Sequence, residues 1–314
     1  MNAQIIQLEN ILVPHPHFTA AMGRLTQCFK HATGSRDPIG IALIGDSGAG
    51  KSRVLEEFEA EHPSYRTDTG LIVPVLRLRL PSRPTVKHLI ELLLHKLEDP
   101  LFDKGTENIK LLRLLKLLRH TQTLMLLLDE FQHFVDKSTH KVLHHLADTL
   151  KVIVDESRLA LVVAGLPGCK AVLDQNVQLA RRFLAPVVMP RFDWAQKKSR
   201  AEFVGILISI QEALAPYKLP QLGNADMAFR FYCATGGLFG YIVKILRQAL
   251  WNATDNNTIH ITLADLQSAY HSAVWPTVKG AGFEVPFASD FMLTPNDATL
   301  IIAQLVGTAD EPES

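Results

Sequence analysis

The chain has 314 residues, with 32 Lys plus Arg against 32 Asp plus Glu, 47% apolar residues and 20% charged ones. This balance excludes a disordered polyelectrolyte and a protein that coats nucleic acid by bulk charge. The length allows one large domain or two smaller ones, each with a real core. Three widely separated cysteines, Cys28, Cys169 and Cys233, exclude a zinc cluster or a disulfide scaffold and fit buried thiols in a reducing compartment. The first ten residues have no basic n-region or signal core. Apolar runs such as residues 124–128 fall far short of the roughly 18 residues that a membrane span needs. The expectation is a soluble, cytoplasmic protein that makes no membrane contact.

In chain order, residues 1–35 read as an N-terminal extension that includes a helix over residues 19–31. Residues 36–192 alternate apolar runs, at 39–44, 71–80, 123–128, 159–164 and 187–189, with helical patterns. Fully apolar short runs between helices predict a parallel sheet covered on both faces. Residues 193–275 switch to helical periodicity, with helices expected near 194–213, 224–235, 237–252 and 262–274. The last opens on Thr262 and Asp265, spaced as a capping box. From residue 280 onward there are six acids and no Lys or Arg, and residues 276–314 read as a loosely ordered acidic tail.

The strongest chemical signal is Gly45-Asp46-Ser47-Gly48-Ala49-Gly50-Lys51-Ser52, which follows the apolar run 39–44 and opens a helical stretch. Glycines let backbone N–H groups turn inward around an anion, and a helix N-terminus adds positive potential. In such a loop Lys51 reaches the β- and γ-phosphates of ATP and Ser52 offers its hydroxyl to Mg²⁺. The second signal is an apolar strand that ends in Asp129-Glu130. Asp129 there would hold Mg²⁺ and Glu130 would polarise an attacking water, which favours hydrolysis over transfer to a small acceptor.

These motifs, with the helical zone after residue 193, resemble an AAA+ ATPase. More narrowly, Leu128-Asp-Glu-Phe-Gln-His133, Ala164-Gly-Leu-Pro167 and Gln178-Leu-Ala-Arg-Arg-Phe183 resemble the TniB/TnsC family of transposition-helper ATPases, over about residues 10–275. The resemblance implies a P-loop NTPase fold: a three-layer αβα core with a parallel sheet (residues 36–192), a helical lid (193–275) and the acidic tail (276–314). It implies an ATPase using ATP and Mg²⁺ that oligomerises as a ring or helical filament on double-stranded DNA. Its partners would be a target selector of TniQ/TnsD type and transposase subunits. The short chain fits compact family members, including those of CRISPR-associated transposons.

The resemblance also carries residue roles. Arg181 and Arg182 stand where the family places an arginine finger that acts on the neighbouring subunit's nucleotide. The alternative is a basic pair complementing a helix C-terminus. The first sensor position holds Ala164, Gly165 and Leu166, where the wider superfamily offers Asn or Thr. For the second sensor, Lys244 is the nearest substitute for an arginine, and it reads equally as a solvated lysine. His133 occupies a motif position that could couple nucleotide state to DNA or a partner, or could be an ordinary surface histidine.

Residues 77–119 hold ten Lys or Arg against five Asp or Glu. By family analogy, Arg77, Arg79, Arg83 and Lys87 are the candidate contacts to DNA phosphates. Lys110, Arg113, Lys116 and Arg119 recur at every third residue of a Leu-rich helix and read equally as its solvated basic face. Two other readings remain open from sequence: a related helicase loader or replication-initiator ATPase with the same motifs and, in a different class, a small-molecule phosphotransferase. A non-catalytic scaffold in which nucleotide only holds the fold is a further one.

Overall fold

The computed structural model describes residues 14–35, 37–135, 140–174, 176–275 and 283–292, with single positions at 294, 297 and 302. The chain divides into two compact units. One is His17–Met189, and the other combines Met1–Pro16 with Pro190–Ser314.

In the first unit, helix α1 (Pro16–Ala32) leads to strand β1 (Ile41–Gly45) and helix α2 (Lys51–Glu61). A small antiparallel hairpin follows, β2 (Tyr65–Thr67) with β3 (Gly70–Ile72), and then β4 (Val75–Arg79). The single apolar run expected over residues 71–80 is therefore two strands. Pro74 lies between them, and a proline cannot donate to a central ladder. Next come α3 (Val86–Lys96), α4 (Glu107–His120), β5 (Met125–Asp129), α5 (His140–Ser157), β6 (Ala160–Gly165), the short helices α6 (Lys170–Asp174) and α7 (Val177–Ala180), and β7 (Val187–Met189). Thr85 and Thr106 cap α3 and α4 by accepting the N–H groups of His88 and Ile109.

The main sheet is parallel with strand order β4-β5-β6-β1-β7. Register pairs Ile44 with Gly165, Leu128 with Val163, and Arg79 with Asp129, so the C-terminal ends of these strands share one edge. Alternate residues face opposite sides. Ala42, Ile44, Leu76, Leu78, Leu126, Leu128, Leu161 and Val163 join one buried cluster with the apolar faces of α3, α4 and α5. The other side is covered by α2, whose Val54, Leu55 and Phe58 are fully buried, and by α1, which meets it through a Phe29–Phe58 ring contact. Burial on both faces is why the strands read as unbroken apolar runs.

The second unit is helical: α8 (Lys197–Ala213), α9 (Ala225–Thr235), α10 (Phe239–Asp255) and α11 (Leu263–Ala273). The capping box at the start of α11 forms. Thr262 accepts the Asp265 N–H, and Asp265 accepts the Thr262 N–H at 2.7 Å. Residues 283–292 depart from the loose tail expected there. Phe287 is buried against Phe231 and Tyr270, and its N–H donates to Gln267 Oε1 at 2.8 Å. Arg230, buried on α9, donates to the carbonyls of Pro286 (3.1 Å) and Ala288 (2.6 Å). The acidic count hid three phenylalanines in this stretch, Phe283, Phe287 and Phe291, which supply the apolar surface for packing. Apart from the single positions 294, 297 and 302, the remainder of the expected tail lies outside the described residues. Among the described residues, no helix is long and apolar enough to cross a membrane.

Candidate nucleotide-binding site

Residues 45–52 run from the end of β1 into the first turn of α2. Three glycines are required by geometry. A Cβ on Gly45 would lie 2.3 Å from the Met189 carbonyl oxygen of β7, while Gly48 holds φ of +83° and Gly50 φ of +93° as the N-cap of α2. Gly50 brings no side chain to cap the helix, so the first-turn N–H groups of α2 stay available to an anion. Lys51 is buried, and its ammonium donates to the carbonyls of Gly45 (2.7 Å) and Asp46 (2.8 Å). Burial pushes this ammonium below the ordinary lysine range, while the charges of Glu130, Asp129 and Asp46 draw it back up. Ser52 is half-buried next to it.

Parallel pairing with β6 as the single intervening strand puts the end of β5 at this edge, about 10 Å from the end of β1 at ordinary strand spacing. Asp129 is 1% exposed. Its Oδ1 accepts the Glu130 N–H at 2.9 Å, whereas its buried Oδ2 has no hydrogen-bond partner among the described residues. A carboxylate oxygen buried in that way is costly unless something cationic meets it. Lys51, Ser52 and Asp129 are thus a donor set that fits a nucleotide with its Mg²⁺.

Glu130 sits in the left-handed region (φ 57°, ψ 38°), which costs a non-glycine residue about 1 kcal/mol. It opens a 3-10 turn, Phe131–Phe134, whose two phenylalanines are fully buried and anchor it. The His133 N–H donates to the Glu130 carbonyl at 3.0 Å, so His133 lies within this turn rather than on an extended helix. The Glu130 carboxylate is held from two sides. Arg79 Nη2 donates to Oε1 at 3.3 Å, and Gln132 Nε2 donates to Oε2. Gln132 was not among the candidates from sequence. An i, i+2 spacing does not bring side chains together on a helix, and only the left-handed turn at Glu130 folds the two onto each other.

The basic residues divide. Arg77 is mostly covered and tied to Glu59 (2.7 Å) and Glu56 (3.6 Å) of α2. Arg79 is exposed and joins Glu130. Arg83 and Lys87 are exposed, and neither has an ion pair among the described residues. On α4, Lys110 is fully buried and bonds Glu91 and the Asp103 carbonyl, the latter at 2.8 Å. Arg113 pairs with Asp99 at 3.0 Å and Arg119 with Glu156 at 2.7 Å, which leaves Lys116 as the cation of that row with no ion pair among the described residues.

Arg181 and Arg182 follow α7 and differ sharply. Arg182 pairs with Asp37 and, at 2.9 Å, with Asp155, whereas Arg181 is exposed and without an ion pair among the described residues. In the helical unit, Lys244 lies 6.0 Å from the Tyr241 ring. It lines a groove of about 390 Å³ with Arg247, Trp251 and Trp275.

The family described as "Bacterial TniB protein" matches residues 4–194. No curated protein matches by sequence. Among solved structures the chain is similar to Cdc6p from Pyrobaculum aerophilum, with TM-score 0.63 and 17% identity, over 88% of this chain and 72% of that one. It is similar to the Aeropyrum pernix ORC1 protein in complex with DNA, with TM-score 0.63 and 17% identity, over 87% and 71%. Drosophila ORC bound to DNA gives TM-score 0.52 and 14% identity, over 88% and 66%. Identities this low speak to the fold alone, which is that of the P-loop AAA+ ATPases.

Proposed function

The chain belongs to the TniB family, and from that premise we propose an ATP-dependent regulator of DNA transposition. It assembles as a ring or filament on duplex DNA and bridges a target selector of TniQ/TnsD type to transposase subunits. ATP hydrolysis then resets or disassembles the polymer. The observation that carries the hydrolytic part is the shared strand edge: a glycine-bounded loop with the buried Lys51 beside Asp129, whose inward oxygen lacks a partner.

Lys51 and the N–H groups of residues 46–52 would bind the phosphates, and Ser52 with Asp129 would hold Mg²⁺. The metal's contribution is to neutralise phosphate charge. Glu130 would orient the attacking water and take its proton on the carboxylate. Arg181 is the better finger of the pair because Arg182 is already engaged by Asp37 and Asp155. Arg83 and Lys87 carry the DNA reading through phosphate contacts, multiplied by assembly rather than by the net charge of one subunit.

The test is Glu130→Gln. The variant should keep ATP binding and ATP-dependent assembly on duplex DNA, seen by negative-stain imaging, while phosphate release drops at least 100-fold. Ordinary turnover by that variant would remove Glu130 from the mechanism.

A further inference from the structure

We infer that Gln132 is the positioning residue for Glu130 and that it supplies, from the turn after β5, the polar group that the end of β6 lacks. This rests on the hydrolytic reading of Glu130 given above. Residues 164–166 present no side-chain donor or acceptor at the end of β6, since they are Ala, Gly and Leu. The space is filled from the neighbouring strand. Gln132 is 8% exposed, its Oε1 accepts the Leu166 N–H at 3.3 Å, and its Nε2 donates to Glu130 Oε2.

Both ends of the amide are therefore used, and its orientation is fixed. Turned over, it would set an oxygen against a carboxylate and an N–H₂ against an N–H. The contact also explains Gly165. A Cβ at that position would lie 2.8 Å from Gln132 Oε1 and 3.2 Å from its backbone nitrogen. The backbone at the end of β6 is thereby linked through one amide to the carboxylate at the end of β5. A small displacement of the Leu166 N–H is passed to Glu130 rather than absorbed by solvent. Misplacing a reacting carboxylate by about 1 Å costs on the order of 100-fold in rate.

The experiment uses the full chain with duplex DNA. It measures steady-state phosphate release, binding of a fluorescent ATP analogue, and the thermal midpoint. Gln132→Leu removes both bonds and should lower kcat about 10- to 100-fold, with KM for ATP and analogue affinity within about twofold. Gln132→Glu keeps the acceptor for Leu166 but cannot donate to Glu130, so it should fall at least as far. Gly165→Ala keeps the amide but displaces it, and should lower kcat about 3- to 10-fold, also at constant KM.

Wild-type kcat in Gln132→Glu would overturn the assignment, because the donated hydrogen bond would then be idle. So would a loss in Gln132→Leu that lies in analogue affinity rather than kcat. Should Gln132→Leu fail to fold, Gln132→Glu and Gly165→Ala decide alone. Glu130→Gln run in parallel separates the two levels. If it abolishes turnover while the Gln132 variants do not lose it, the inference falls and the hydrolytic reading stands. If Glu130→Gln turns over normally, the reading itself falls.

Discussion

Two parts of the αβα unit are directed at phosphate by composition, and they are built in opposite ways. In residues 45–52 the glycines keep side chains out, and the first turn of α2 leaves its N–H groups without a side-chain cap. The one cation there, Lys51, rests on backbone carbonyls from which a stronger acceptor can draw it. In residues 77–119, by contrast, most of the positive charge is already answered. Arg77 meets Glu56 and Glu59, Lys110 meets Glu91, Arg113 meets Asp99, and Arg119 meets Glu156. A local excess of charge therefore overstates how many cations are left available, whereas a loop that withholds side chains from its own N–H groups keeps them available.

The same division separates Arg181 from Arg182, and there it makes its largest prediction. Arg181→Ala should lower DNA-stimulated turnover about 1000-fold in the assembled protein. Mixing it with Lys51→Ala subunits should restore part of the activity, since each supplies what the other lacks across an interface. Arg182→Ala should instead lower stability by about 1 kcal/mol in a denaturant titration and leave most turnover intact. The reverse pattern would exchange the two roles.

On the proposed reading, Lys51→Ala removes the one cation of the loop and should weaken fluorescent-ATP binding about 100-fold without loss of the folded state. Equal affinity would mean that the backbone cradle alone sets binding. Lys110 tests the opposite region. Lys110→Ala strands Glu91 and leaves a cavity, so unfolding in urea should show a loss of about 3 kcal/mol. Lys116→Ala, six residues further along the same helix but exposed, should change stability by less than about 0.5 kcal/mol. The smallest effect concerns Arg83 and Lys87. Replacing either by Ala should reduce the slope of log affinity for duplex DNA against log salt by about 1, with little sequence dependence. An unchanged slope would place the DNA contacts elsewhere.

The glycine-bounded loop at residues 45–52 was legible because its geometry is local. The residues that shape the turn are consecutive, and the flanking strand and helix follow from adjacent periodicity. The apolar runs likewise predicted every strand of the parallel sheet, to within the break at Pro74. The hairpin of Tyr65–Thr67 and Gly70–Ile72 was missed because its residues show no apolar alternation and two of its three β2 positions are polar. Gln132 was missed because its partners, Glu130 and Leu166, are joined by a left-handed turn and by strand order, neither of which is written in spacing.

By itself, then, the sequence determined the loop at residues 45–52, the acids at 129 and 130, the parallel αβα class and the helices after residue 193. Each depends on residue types in contiguous order, where sterics and burial act over a few residues. Tertiary structure alone decided which charges remain available. Whether Arg77, Lys110, Arg113 or Arg182 can reach a ligand depends on an acid brought beside it by packing, from 14 positions away in the chain for Arg113 and Asp99 to 145 for Arg182 and Asp37. Net charge is a sum over the chain, but an ion pair is a property of distance, and distance is what folding sets.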